Sequence, residues 1–401
     1  MSYNKQPSHS TQPATILIAD DDPHVCKSLK EILSYRGYHC IDAGDGKETL
    51  DRLNENKVDL LLLDLKMPRI NGMEVLKQSL ATDPDLPVVM ISGQGTIQSA
   101  VEATRLGAYD FLEKPLETER TLLTIRNALE KSHLKIQRDQ LLNETRKRYR
   151  MIGTDPKMQE VYALIERASK VDSKVLISGE HGTGKELVAR AIHLNSDRVA
   201  SPFAPINCSA IPETLIESEL FGHEKGAFTG AHSDRPGKLQ QAQGCTLFLD
   251  EIGDMSLMMQ AKILRVIEDG LVKPVGSSKA IKIDVRIIAA TNKNLATEIE
   301  EGNFRSDLFY RLNVIPVNLP SLRERTQDIR YLAEHFLEEV CETEGLPQKT
   351  FSKNIWPILT SYNWPGNVRE LRNVVERAAV LTAESLIESP IVREALQTKQ
   401  P

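Results

Sequence analysis

Roughly the first 120 residues alternate short apolar runs with amphipathic stretches. TILIA (15–19), HCIDA (39–43), VDLLLLD (58–64), PVVMIS (87–92) and AYDFLEK (108–114) read as strands, and apolar positions recur at helical spacing near residues 23–35, 46–56, 72–81 and 96–106. Strands this apolar, each followed by a helical stretch, predict a parallel sheet covered on both faces. Residues 117–149 contain no Gly or Pro and read as a long helical stretch ending in the basic cluster Arg146, Lys147, Arg148 and Arg150. Leu122, Leu129 and Ile136 fall seven residues apart, as do Leu134 and Leu141. So few heptads do not establish a coiled coil, and the pattern favours a signalling or dimerising helix over a plain linker. A second α/β pattern starts near Gly153: VLIS (175–178) leads into a Gly-rich loop, and TLFLDE (246–251), VRIIAATN (285–292) and VIPVNLP (314–320) read as further strands. From Asp328 to about Leu386 the pattern is helical, broken by the turn NWPGN (363–367).

At 401 residues the chain exceeds what one core supports. The patterning divides it into a polar tail expected to be disordered (1–13), an α/β domain (14–130), a linker helix (131–150), a second α/β domain (151–320), a helical subdomain (321–386) and a short tail (387–401). With 40% hydrophobic and 26% charged residues it reads as a globular protein, and the formal charge of -6 argues weakly against a nucleic-acid binder working through a basic face. The five cysteines are scattered without a C-x-x-C pair, which predicts neither a disulfide framework nor a zinc site. The N-terminus lacks the apolar core of a signal peptide, and no apolar run approaches the ~20 residues that span a bilayer. The expected compartment is a reducing cytoplasm, with no membrane partner.

Several polar residues sit where the first five strands end. Asp20 and Asp21 follow the first, Asp64 ends the third, Ser92 the fourth, and Lys114 with Pro115 the fifth. In an open doubly wound sheet such ends converge on one crevice. Clustered carboxylates call for a hard cation, and Mg²⁺ suits oxygen ligands. Such a site makes one carboxylate a phosphoryl acceptor, with a Lys and a hydroxyl holding the phosphoryl oxygens, whose charge of about -1.5 to -2 draws nearby groups inward. Singly, each residue reads as a cap or a solvated side chain; five at the right strand ends, in order, do not. The strings ADDDP, LLLDLKMPRINGMEVL, MISGQG and DFLEKP resemble a CheY-like response-regulator receiver. The resemblance implies Asp64 as phosphoacceptor, Mg²⁺ held by Asp20, Asp21 and Asp64 with the Lys66 backbone carbonyl, Ser92 as switch hydroxyl, Lys114 as phosphate contact, Phe111 as rotating aromatic, and a sensor histidine kinase as partner.

GEHGTGKE follows a strand and opens a helix, the setting of a phosphate-binding loop: Gly179, Glu180, His181, Gly182, Thr183, Gly184, Lys185 and Glu186. Backbone N–H groups approach phosphates there, and Lys185 reaches the β/γ-phosphates. Glu186 departs from the Ser or Thr that usually holds Mg²⁺. The apolar strand LFLDE supplies Asp250 and Glu251, the pair expected to organise Mg²⁺ and polarise the attacking water, and AATN places Asn292 as a γ-phosphate sensor. FRSDLFYRL offers Arg305 and Arg311 as arginine fingers toward a neighbouring subunit, and Arg369 in WPGNVREL falls where it can report nucleotide state. Each arginine alone reads equally as a surface ion pair.

ELFGHEKGAFTGA carries a small-residue loop with one aromatic and one hydroxyl: Gly226, Ala227, Phe228, Thr229, Gly230 and Ala231. Read from its residue types alone, it suits a flexible hairpin tip. With the preceding motifs, residues 151–385 resemble the AAA+ domain of bacterial enhancer-binding proteins of the nitrogen-regulatory (NtrC) type. That resemblance implies a P-loop α/β fold with a C-terminal helical lid, ATP and Mg²⁺ as cofactors, and GAFTGA as the contact to sigma-54 RNA polymerase holoenzyme. It further implies a homo-oligomer, dimeric when inactive and a hexameric ring when active, and Asn207 as a switch restraining Glu251. Glu after the loop lysine is usual in that family. His181 stands where a small residue is more common, with little effect expected.

Relatives of this type usually end in a helix-turn-helix of roughly 40 or more residues. Only IESPIVREALQTKQP follows Leu386, so the expectation is no DNA-binding domain in this chain, either because the sequence is truncated or because the protein works without one; in the second case activation is expected from solution, with little selectivity by DNA site. Two rival readings are a non-hydrolysing signalling scaffold, opposed by the intact Lys185, Asp250, Glu251 and arginines, and an AAA+ machine with another client, opposed by the complete GAFTGA.

Overall fold

The structure, a computed structural model, describes residues 13–93, 97–210, 213–228 and 230–397. The expected N-terminal tail falls almost wholly outside these. The chain forms two compact units that divide after Asn143.

The first unit runs β1 (Thr15–Ala19), α1 (Pro23–Tyr35), β2 (His39–Ala43), α2 (Gly46–Glu55), β3 (Leu60–Asp64), α3 (Gly72–Thr82), β4 (Val88–Ser92), α4 (Ile97–Arg105), β5 (Asp110–Glu113) and α5 (Thr118–Arg148). Its sheet is parallel in the order β2-β1-β3-β4-β5. Every position of β3 and β4 is buried, and alternation sends Leu60 and Leu62 to one core and Leu61 and Leu63 to the other. Helices start where polar side chains close the first turn: Asp22, Asp45 and Asn71 each accept a backbone N–H of the helix they precede. Strand order reverses between β1 and β3, which opens a crevice beyond their carboxyl ends. Pairing of Ala19 with Leu63 brings Asp20 and Asp64 side by side at its mouth.

Helix α5 runs unbroken through residue 130, where the linker was expected to begin, and its last turn belongs to the second unit. The heptad stripe has two fates. Leu122 and Leu129 pack against the core of the first unit, whereas Leu134, Ile136 and Leu141 are exposed.

The second unit contains α6 (Pro156–Ser169), β6 (Val175–Ser178), α7 (Lys185–Leu194) and β7 (Phe203–Asn207). Its parallel sheet runs, edge to edge, Ile315–Asn318, β6, Arg286–Thr291, Thr246–Asp250, β7. Strand β7 was not expected, because FAPIN is short and interrupted by Pro205. Its edge position explains the tolerance, since a missing N–H there costs no ladder bond; Pro316 occupies the opposite edge strand. One sheet face packs Val175, Ile177, Phe248 and Ile288 against α6 and α7. The other packs Leu247, Leu249 and Ile287 against the helix Leu257–Asp269.

A helical subdomain follows, built on the helices Asp328–Thr343, Asn367–Leu381 and Ser389–Gln397 around Trp364 and Leu371, both fully buried. The expected tail from residue 387 is instead part of this body. Leu386–Ile387 pairs with Thr350–Phe351, and Val392 and Ala395 are buried in the same core. The final helix is one short amphipathic segment, too brief to register as periodicity. Among the described residues no helix is long and apolar enough to cross a membrane.

Both tryptophans of the chain, Trp356 and Trp364, lie in this subdomain, so tryptophan emission follows its unfolding alone. Leu371→Ala, which empties a fully buried site, is expected to destabilise that transition by about 2–5 kcal/mol in urea titrations. The far-UV signal of the first unit should not move.

Candidate functional site

Two constellations emerge, one in each unit. In the first, Asp20 and Asp64 are almost entirely buried at the crevice, and Lys114, which follows β5, lies 2.7 Å from Asp20 Oδ2 and 2.8 Å from Asp64 Oδ1. The Lys66 backbone N–H donates to Asp64 Oδ2 at 2.9 Å, folding the loop after β3 around the carboxylate. Ser92 is buried at the end of β4, and Phe111 is half-buried against the neighbouring core. Burial pushes the Asp64 carboxyl above its ordinary range and Asp20 adds to this, while Lys114 works against it. Burial alone would lower Lys114, but the two carboxylates outweigh it and hold the ammonium above its usual range. Asp21 is exposed beside this pair. Asp22 serves structure: it caps α1 through His24 N–H at 2.8 Å, and its own N–H reaches Asp20 Oδ1 at 3.0 Å.

Among the described residues no three His, Cys, Asp or Glu side chains gather into a metal cage. Two carboxylates facing one cation, open to water on the Asp21 side, nevertheless fit Mg²⁺, which takes one or two carboxylates and keeps several waters.

In the second unit, the loop between β6 and α7 lines a cavity of about 400 Å³. His181, Gly182, Thr183, Gly184, Lys185 and Glu186 form one wall, Asp250 and Glu251 another, and Arg369 a third. Gly182 is required for two reasons: its φ is +75°, and a Cβ there would stand 2.2 Å from the carbonyl oxygen of Gly366. Lys185, nearly buried, donates to the Gly179 carbonyl at 3.0 Å and lies 3.5 Å from Glu251 Oε1. Glu251 takes a left-handed backbone (φ +53°), and its Oε2 accepts the Asn292 N–H at 3.1 Å. Burial raises the Asp250 carboxyl, and the adjoining Glu251 charge raises it further. The donor set again fits Mg²⁺, with carboxylate oxygens beside a phosphate-binding loop.

Several expected residues stand elsewhere. Glu180 turns from the cavity and accepts from Arg323 at 2.9 Å and Asn367 at 3.1 Å. Glu186 stays on the cavity wall, with its carboxylate held by Arg190 at 2.8 Å. The side-chain oxygen of Asn207 accepts from Ser209 and Ala210 in its own turn, which leaves its Nδ2 as the group that can donate to a carboxylate. Asn292 is near Glu251 through its backbone, while its Oδ1 is buried without a hydrogen-bond partner among the described residues. Arg305 pairs with Asp307 at 2.7 Å and Arg311 lies 3.7 Å from Glu268; neither lines the cavity.

The GAFTGA segment rises from a two-stranded ribbon of Gly222–His223 and Arg235–Pro236. Gly226 N–H donates to Ala231 O at 2.9 Å and Ala231 N–H to Phe228 O at 3.0 Å. Phe228 is 40% exposed and meets the His223 ring edge-on at 4.9 Å. Gly230 is exposed and Ala231 buried; Thr229 lies outside the described residues.

Four residues that sequence reasoning missed tie the helical subdomain to the loop or to the segment that precedes α6. Asn367, fully buried with φ +51°, accepts the Leu322 N–H at 2.8 Å and donates to Glu180 and to the His181 carbonyl at 2.9 Å. The N–H of Val368 donates to Gly182 O at 3.0 Å. Arg325, also buried, donates to Thr183 O at 3.1 Å, and Asp328 Oδ1 accepts from Thr154 N–H at 2.6 Å and Asp155 N–H at 3.0 Å. The signal for Asn367 was the helix break NWPGN, which reads only as a turn without the fold around it.

Comparison with known proteins gives three family matches: the response regulator receiver domain over residues 16–126, the sigma-54 interaction domain over 151–318, and the AAA+ ATPase lid domain over 323–401. The transcriptional regulatory protein ZraR of Escherichia coli (strain K12) is 43% identical over 387 residues, covering 96% of this chain and 87% of that protein. The DNA-binding transcriptional regulator NtrC of Azospirillum brasilense is 43% identical over 388 residues, covering 97% and 80%. Among solved structures, NtrX from Brucella abortus in complex with ATP matches with a TM-score of 0.77 and 38% identity, over 97% of this chain and 86% of that one.

Asn367→Asp would set two carboxylates against each other at the Glu180 contact. It is expected to lower the stability of the helical subdomain by about 1–3 kcal/mol, read by tryptophan emission. Adding Glu180→Gln should recover part of the loss, because an amide donor then faces the new carboxylate.

Proposed function

Because the chain belongs to the sigma-54-dependent response regulators, which join a receiver to a sigma-54 interaction domain of the AAA+ class, we propose that phosphorylation of Asp64 governs ATP hydrolysis at the β6–α7 loop and through it the opening of promoters by sigma-54 RNA polymerase. The observation that carries this reading is the convergence on one cavity of the phosphate-binding loop, Asp250, Glu251 and Arg369.

Asp64 is the phosphoryl acceptor by position and company. Its Oδ1 already faces Lys114, which is placed to hold a phosphoryl oxygen, and Asp20 lies across the same ammonium. Mg²⁺ bound by Asp20, Asp21 and Asp64 would supply charge neutralisation to incoming phosphate. The added charge then draws the Ser92 hydroxyl inward and Phe111 with it. A sensor histidine kinase is the donor.

In the second unit, Lys185 exchanges the Gly179 carbonyl for phosphate oxygens when ATP enters. Asp250 would hold Mg²⁺, which would offset the charge of the phosphates, and Glu251, fixed by the Asn292 N–H, polarises the attacking water. Arg369 reports phosphate occupancy to the lid, since the backbone at Val368 is bonded to the loop. Among the described residues the Arg305 and Arg311 side chains pair with surface carboxylates alone, which suits arginine fingers acting on a neighbouring protomer of a ring. The exposed Phe228 presents the GAFTGA loop to sigma-54.

Open-complex formation by sigma-54 polymerase with ATP tests the proposal. The full chain is expected to yield open complexes that depend on a phosphodonor; Asp64→Asn removes that dependence, and Thr229→Ala abolishes open complexes while ATPase persists. Open complexes formed equally well by Thr229→Ala would remove the sigma-54 role of the loop. Separately, Arg305→Ala or Arg311→Ala is expected to cut kcat by about 10³-fold or more with ATP binding retained, as measured by nucleotide titration beside turnover.

A further inference from the structure

The catalytic role assigned to Glu251 leaves a question about what restrains its carboxylate before reaction. Asn207, the residue expected to do so, has its side-chain oxygen bonded to Ser209 N–H at 2.9 Å, Ser209 Oγ at 2.8 Å and Ala210 N–H at 3.1 Å, and its Nδ2 is the donor that can serve a carboxylate. Two side chains do approach Glu251 Oε1, each at 3.5 Å: Lys185 Nζ and His181 Nδ1. Lys185 is drawn to phosphate once nucleotide binds. His181 is not drawn away in this manner, and its ring can restrain Glu251 alongside Asn207.

We infer that His181 is a positioning residue that holds Glu251 back from the attacking water. The inference rests on the reading of Glu251 as the water-polarising group. Its backbone belongs to the loop that clasps the subdomain, because the His181 carbonyl accepts from buried Asn367 at 2.9 Å. That leaves the imidazole anchored at one end and 62% exposed at the other, free to rotate and close 3.5 Å to hydrogen-bond length. Glu251 is fixed from the opposite side: its backbone is left-handed and its Oε2 is tied to Asn292 N–H. An Nδ1–H bonded to Oε1 occupies the lone pair that would otherwise accept the water proton and lowers the carboxylate's capacity as a base. Hydrolysis then requires the imidazole to swing away, so His181 acts as a brake on kcat and contributes little to nucleotide affinity. The same position filled by a small side chain could not reach Glu251.

The test is steady-state ATPase of the full chain with a small-molecule phosphodonor, at protein concentrations where the rate per protomer no longer rises. His181→Ser is expected to raise kcat about 3- to 10-fold, as for loss of one hydrogen bond of ordinary strength, with KM for ATP changed less than twofold. His181→Asn, whose amide nitrogen occupies nearly the place of Nδ1, is expected to return kcat to the parental value; a merely structural residue would show no such split or rescue. An unchanged or lowered kcat in His181→Ser overturns the inference, as does an equal rise in His181→Asn. Glu251→Gln separates this from the underlying reading. If it binds ATP and does not hydrolyse it, Glu251 has the assigned role and the His181 result stands by itself; if it hydrolyses normally, the reading of Glu251 fails first.

Discussion

Much of the second unit depends on one buried amide. Asn367 satisfies a backbone N–H of the segment entering the helical subdomain, a carbonyl of the phosphate-binding loop and a carboxylate of the same loop. A fully buried amide has few ways to be satisfied, and each unmade bond there costs on the order of 1–3 kcal/mol. The left-handed backbone it adopts is tolerated by Asn better than by most side chains. Gly182 meets it from the other side, since any larger residue would strike Gly366. Loop and subdomain are therefore one mechanical piece, and a change in what the loop grips is felt directly by the helix carrying Arg369.

The first unit solves a different electrostatic problem. Two buried carboxylates one strand apart repel, and Lys114 offsets the repulsion in the unphosphorylated state. The same ammonium is thus already in place for a third anion, so phosphorylation redistributes existing contacts. This gives a physical reason for the strand order: the reversal between β1 and β3 is the place where two strand-end carboxylates can share a single counter-charge.

The receiver-like half was legible almost residue by residue, because buried parallel strands are continuous apolar runs and the telling polar residues terminate them. Helix α1 ends at Tyr35 and β2 spans His39–Ala43, as periodicity implied. The second half was legible through its motifs and less through its periodicity. Strand β7 hid behind Pro205, and the last helix was too short to declare a period. The contacts of Asn367, Arg325 and Asp328 join residues more than 140 positions apart in several cases, and no local pattern encodes such a partner. His181 was visible as a departure from a small residue, but its weight became apparent only once Glu251 stood beside it.

The prolines at the two rims of the second sheet carry a consequence for self-association. Pro205 and Pro316 sit on the outermost strands, where a row of free backbone donors and acceptors would otherwise template a neighbouring chain. A missing donor on each rim interrupts that template on both sides. Protomers are thereby steered from open-ended strand stacking, which has no natural stopping point, toward contacts made by side chains on helices and loops, whose geometry can close on itself.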